Sequence, residues 1–129
     1  MLAANNFSSL LWDTLNKVNG DEGLLRSILY SLSRDELIMY YKEFRRAMRA
    51  LWDEFDANGQ LRPGPGQTIS EDTKEDIFAC VVSHGRDYFD EIVAHPERIR
   101  ADVEPDDVPF LGLPGQVFSD RFDDEITLQ

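Results

Sequence analysis

Hydrophobic residues recur along this chain at spacings of three and four, the period of a helix turning about 100° per residue. No stretch shows the sustained apolar–polar alternation of a half-buried strand, and no internal repeat stands out. The first stripe is Phe7, Leu10, Leu11, Leu15 and Val18, with Trp12 to one side. Asn5, Asn6 or Ser8 can cap its start, and Asn19-Gly20 ends it. A second, shorter helix is predicted over 21–32, with Leu24, Leu25, Ile28, Leu29 and Leu32 inward and Gly23 weakening its start.

Ser33-Arg34-Asp35-Glu36 is a capping box, in which serine and glutamate each satisfy a backbone N–H of the other. The third helix is expected to run from there to about residue 55. Its stripe is Leu37, Tyr41, Phe44, Met48, Leu51 and Phe55, flanked by Tyr40 and Trp52. Residues 56–67, DANGQLRPGPGQ, read as a loop, because Asn-Gly and alternating Pro and Gly suit neither helix nor strand.

The stretch 70–96 is the one around which the chain is organised. Phe78, Val81, Val82, Gly85, Phe89, Ile92 and Val93 share one helical face, and the phase holds through Gly85. This predicts one continuous helix, with Gly85 allowing a close approach by another helix. The competing reading is a C-cap at Gly85 and a new helix from Arg86. Ser70 is a suitable N-cap, Thr68 with Glu71 forms a possible capping box, and Glu71, Asp72, Glu75 and Asp76 suit the positive end of the helix dipole. His95-Pro96 is the expected stop.

Residues 96–100 are expected to make one more turn. Beyond Ala101 the period fades, yet Val108, Phe110, Leu111, Leu113, Val117, Phe118, Phe122 and Ile126 are too many apolar residues for a free tail. The segment is expected to lie across the helices, with a short helix over 116–123. The predicted architecture is all-α, a compact bundle of four to five helices with an irregular acidic C-terminal segment packed across it. It forms a single domain over 1–129: a helical core over 1–100 and an acidic, partly irregular tail over 101–129. The long helix should pack on the third.

Charge adds a functional constraint. The net charge is −12, and residues 101–129 hold eight carboxylates (Asp102, Glu104, Asp106, Asp107, Asp120, Asp123, Asp124 and Glu125) against Arg121 alone. Such a surface repels nucleic acid and anionic membranes and attracts basic proteins. Those eight residues are the expected electrostatic footprint for a basic partner. The single cysteine excludes an intramolecular disulfide and a cysteine-based zinc site, and suits a reducing cytoplasm. No apolar run reaches transmembrane length, and the start MLAANNFSSLLW lacks the pattern of a signal peptide, so a cytoplasmic location is expected.

Four constellations bear on chemistry. Cys80 and His84 are four apart on one helix, a thiolate–imidazole pair in principle, with Arg86 and Tyr88 completing a possible small-ligand pocket. Against this, cysteine is commonly a small buried hydrophobe, and no orienting group is legible. Lys42, Arg45, Arg46 and Arg49 form the one concentrated basic stripe, able to hold a phosphate or an acidic partner, or simply a solvated face. Residues 54–61 echo the first half of an EF-hand loop, but Pro65 stands where the bidentate glutamate is needed. The helix-start carboxylates Glu71, Asp72, Glu75 and Asp76 have no accompanying histidine, and His95 is a lone residue at a helix end. No phosphate loop, nucleophile elbow or zinc-protease motif is present, so no metal or cofactor is expected.

Three segments carry a family resemblance: Leu11-Trp12-Asp13-Thr14-Leu15, the step LYSLSRDEL from Leu29 to Leu37, and FACVVSHGRDYFDEIVAHPERI from Phe78 to Ile99. Together they resemble the bacterial proteins of domain of unknown function family 4240, over roughly the first three quarters of the chain. The family's usual tryptophan is replaced near Cys80, the 56–67 loop is unusual, and nothing after Ala101 matches. The resemblance implies a helical bacterial domain and supplies no catalytic residue. Size and charge together lead to an expectation of a non-enzymatic protein-binding module, an acidic inhibitor or immunity-type protein that neutralises a basic partner such as a bacterial toxin. The alternatives are an enzyme or small-ligand binder at Cys80 and His84, or a structural protein that self-associates through its aromatic tail.

Overall fold

The structure is a computed structural model and describes residues 2–58, 71–99 and 109–124. Among the described residues there are six α-helices and no strand: α1 (Ser9–Val18), α2 (Glu22–Ser31), α3 (Arg34–Asn58), α4 (Glu71–Ser83), α5 (Arg86–Ala94) and α6 (Pro109–Phe122). Short 3-10 turns at Ala4–Asn6 and Pro96–Arg98 precede α1 and follow α5. The all-α expectation holds, with one helix more than the upper expected number.

Local chemistry sets the boundaries. Ser8 Oγ accepts from Leu10 N at 3.1 Å, opening α1, and Asn19 ends it in the left-handed region at φ 49°. Asp21 Oδ1 accepts from Leu24 N at 3.1 Å and caps α2. The capping box before α3 is present in full: Ser33 N donates to Glu36 Oε1 at 2.9 Å, and Glu36 N donates to Ser33 Oγ at 3.1 Å. Helix α3 continues past the expected end near residue 55, so the first residues assigned to a loop are helical.

The continuous helix expected over 70–96 is two helices. Gly85 N closes onto Val82 O at 3.1 Å, a tightened last turn, and Gly85 itself adopts φ 96°. That is left-handed backbone natural to glycine. The predicted face is nevertheless largely the buried one: Phe78, Val81, Val82, Phe89 and Ile92 are buried, and Val93 is half-buried. The break preserves their side of the molecule, which is why periodicity alone did not disclose it.

Helix α3 is the central element. It packs against α1, α4 and α6, while α6 also lies on α2 and α4. Of the segment after residue 101, the described residues form a regular helix beginning at Pro109, not a short one near 116–123. Its apolar residues Phe110, Leu113, Val117 and Phe118 are 5% exposed or less. Arg121 Nη1 donates to Leu32 O at 2.6 Å and Leu29 O at 3.1 Å, satisfying carbonyls at the end of α2. One burial expectation is corrected: Leu24, assigned inward, is 39% exposed. Trp12, beside the α1 stripe, is buried against Phe89 with ring centroids 5.2 Å apart. Trp12 Nε1 donates to Ala4 O at 2.7 Å, which supplies the partner a buried indole requires.

Candidate functional site

The surface best equipped for recognition lies between α2 and α6. Both helices turn polar side chains outward there: Arg26 and Tyr30 four apart on α2, Gln116, Ser119 and Asp120 on α6, and Asp123 just past its end. They line an open depression of about 750 Å³. Tyr30, 39% exposed, donates its hydroxyl to Asp120. That hydrogen bond holds the phenol pKa above its ordinary value, with slight burial and the charge of Asp120 acting in the same direction. An aromatic ring is thereby fixed beside carboxylates, an arrangement suited to a cationic side chain, which gains from both the ring face and the charge.

The predicted acidic footprint falls partly here. Asp120 and Asp123 line the depression. Asp124 lies next to them and approaches Arg34 at 3.9 Å, an exposed contact worth little. Asp102, Glu104, Asp106, Asp107 and Glu125 lie outside the described residues. Tyr30 was not singled out from sequence, although an aromatic residue off the apolar stripe of α2 is a usable signal.

The second predicted site is brought together only in part. His84 lies at the end of α4, its ring 4.9 Å from that of Tyr88 and its Nδ1 3.6 Å from Cys80 Sγ. The same Nδ1 is 2.7 Å from the backbone oxygen of Cys80. A carbonyl oxygen only accepts, so Nδ1 is the donor and carries the proton. The nitrogen facing the thiol therefore has no lone pair with which to remove its proton. Arg86 points elsewhere, donating to Asn5 near the N-terminal turn. The cluster does not form a nucleophile and base in this geometry.

The basic stripe is the third. Lys42, Arg45, Arg46 and Arg49 stand on one face of α3 around a hollow of about 420 Å³ shared with Met48, Trp52 and, from α4, Glu75. Arg46 pairs with Glu43, and Arg49 Nε is 3.4 Å from Asp53. Glu43 is 7% exposed and also accepts from Ser8 N at 3.0 Å, so it ties the N-terminal segment to α3. Nothing in the sequence distinguished that glutamate from a solvated neighbour of the arginines. Asp90 plays a similar part from α5, accepting from Ala4 N at 2.8 Å.

Among the described residues no group of three or more histidines, cysteines or carboxylates is placed to hold a metal ion, and no helix is long and apolar enough to cross a membrane. No family model matches the chain, and no curated protein or solved structure is similar to it.

Proposed function

We propose that this protein is a non-enzymatic binding module, an acidic inhibitor of immunity type that neutralises a basic protein such as a toxin. The observation that carries the reading is the Tyr30–Asp120 pair in the open depression between α2 and α6. A wide, open, polar-rimmed surface with a fixed tyrosine suits a protein partner, because interface energy concentrates in such aromatic anchors. The net charge of −12 supplies long-range attraction, which raises the association rate of a basic partner and disfavours acidic ones. At Cys80 and His84, the engagement of His84 Nδ1 by the Cys80 carbonyl weighs against the enzymatic alternative. The likeness to domain of unknown function family 4240 belongs to this proposal only as a statement about the helical core.

The test is capture from the native cell on the immobilised full chain, at low and at moderate salt, beside a variant carrying Asp120→Asn, Asp123→Asn and Asp124→Asn. The expected result is a stoichiometric basic protein, released as salt rises and retained poorly by the variant. With that protein purified, the triple substitution should slow association by about tenfold and flatten its salt dependence. An association rate unchanged by the substitutions, or a captured protein that is acidic, would sink the proposal. Cys80→Ala with His84→Ala should leave capture intact.

A further inference from the structure

The hollow between α3 and α4 does not fit the acidic character of the rest of the molecule. The chain holds 25 carboxylates and 13 lysines and arginines, yet four of those cations occupy positions 42, 45, 46 and 49 of α3. These are i, i+3, i+4 and i+7, so neighbours of like charge face one another twice at each of the two close helical spacings. Glu43 answers Arg46, and Asp53 answers Arg49. Lys42 and Arg45 have no carboxylate within ion-pair distance among the described residues. Arg45 has only the Tyr41 hydroxyl at 3.5 Å and the Tyr41 ring, 5.7 Å away. Two uncommitted cations thus stand three residues apart at the edge of a concave surface.

The rest of the hollow has the mixed chemistry of a ligand site. Met48 and Trp52 give it an apolar floor, and the Arg49 guanidinium lies 5.5 Å over the Trp52 ring. Glu75 reaches it from α4 as an acceptor. The volume of about 420 Å³ lies within the usual range for small-molecule sites. We infer that this hollow binds a phosphate-bearing small molecule, its phosphate between Lys42 and Arg45, its body over Met48 and Trp52, and a hydroxyl or amino group donating to Glu75. Lysine supplies the compact charge and arginine the planar fork that phosphate oxygens accept from. The net charge disfavours nucleic acid and anionic bilayers as the source of that phosphate.

The probes are inorganic pyrophosphate and adenosine monophosphate, with citrate as the carboxylate comparison, titrated calorimetrically into the full chain with ionic strength held constant by sodium chloride. A second arm measures cosedimentation with phosphatidylcholine vesicles containing phosphatidic acid. Saturable one-to-one binding of at least one phosphate probe is expected, with no cosedimentation. Lys42→Ala with Arg45→Ala should weaken it by about tenfold or more, the loss expected for charge-assisted hydrogen bonds. Removing like charges from an exposed helix face relieves repulsion, so the double variant should fold, and its melting temperature checks this directly. Binding over Trp52 is also expected to change tryptophan fluorescence, a change that Trp52→Phe should abolish while binding persists. Absence of saturable heat with both phosphates, equal affinity in the double variant, or tighter binding of citrate than of either phosphate would each overturn the assignment. Cosedimentation that the double variant loses would keep the phosphate site and give it a lipid source. None of these outcomes touches the α2–α6 surface.

Discussion

The side-chain oxygen of Asn16 on α1 occupies the ground that a β-carbon at Gly85 would need: the two would stand 2.6 Å apart. The same oxygen accepts from Arg86 N at 3.4 Å, serving the first turn of α5, where Gly85 has no side chain to act as a cap. Gly85 is thus held by its left-handed backbone and by a neighbouring helix at once.

Gly85→Ala should destabilise the fold by about 1–3 kcal/mol, from left-handed strain and the Asn16 contact together. Urea denaturation of Gly85→Ala, Asn16→Ala and the double variant separates the two. If the contact contributes, the double variant will be more stable than the sum of the single effects implies. Strict additivity would assign the whole effect to backbone strain.

Tyr40 makes a second case, because its ring is fully buried and its hydroxyl has no hydrogen-bond partner among the described residues. A buried polar group left unsatisfied costs about 1–3 kcal/mol, so Tyr40→Phe should be neutral or stabilising, in contrast to most core substitutions. Burial also raises the pKa of this phenol above its ordinary value. A raised folded-state value means that stability is full below the unfolded value, about 10 for a phenol, and falls as pH climbs above it, since only the unfolded chain releases the proton readily. Tyr40→Phe should therefore also soften alkaline unfolding. Thermal melts across neutral and alkaline pH check both effects, and a clear loss of stability at neutral pH would show that the hydroxyl has a role in the fold.

Much of this fold was legible because burial follows helical phase: on α3, Leu37, Phe44, Met48, Leu51 and Phe55 are buried, whereas Tyr41 is half-buried and its neighbour Tyr40 takes the core position. The exceptions have physical causes. The phase of α4 runs unbroken into α5, since both bury the same side, so the one sequence signal of the break is Gly85 as a helix C-cap. Helix α6 contains Gly112, Pro114 and Gly115, which local propensity counts against a helix. Pro109 suits its first position, and burial of Phe110, Leu113, Val117 and Phe118 outweighs the rest. The partner of the Trp12 indole is a backbone carbonyl at Ala4, which no side-chain pattern encodes. At the candidate site, Asp120 and Asp123 stood out by charge, whereas Tyr30 matters through its position opposite α6, a tertiary fact.

The capping box offers a pH-dependent prediction with two separable parts. Hydrogen bonds from Ser33, the backbone N–H first and the hydroxyl second, hold the Glu36 carboxyl below its ordinary pKa. A depressed folded-state value gives stability that is present above the unfolded pKa and lost as pH falls through the folded one. Glu36→Gln should remove that part of the acid sensitivity. Ser33→Ala should lower stability by about 1 kcal/mol near neutral pH, the usual worth of an N-cap, while keeping most of the acid dependence because the backbone bond remains. Chemical denaturation at neutral and mildly acidic pH distinguishes the two. An unchanged acid slope in Glu36→Gln would contradict the assignment.

Cys80 and His84 provide a final test, because their closeness invites a catalytic interpretation that the hydrogen bonding opposes. His84 Nδ1 donates to the Cys80 carbonyl at 2.7 Å, so it cannot also accept the thiol proton across the 3.6 Å to Sγ. A cysteine activated by a neighbouring base reacts as its thiolate, and removal of that base slows it sharply. Here His84→Ala should change the rate of Cys80 alkylation by iodoacetamide by no more than about twofold. Cys80 is half-buried and is the only cysteine, so mass spectrometry reads the modification at one position without ambiguity. A tenfold or greater loss of reactivity in His84→Ala would restore the pair as a reactive centre.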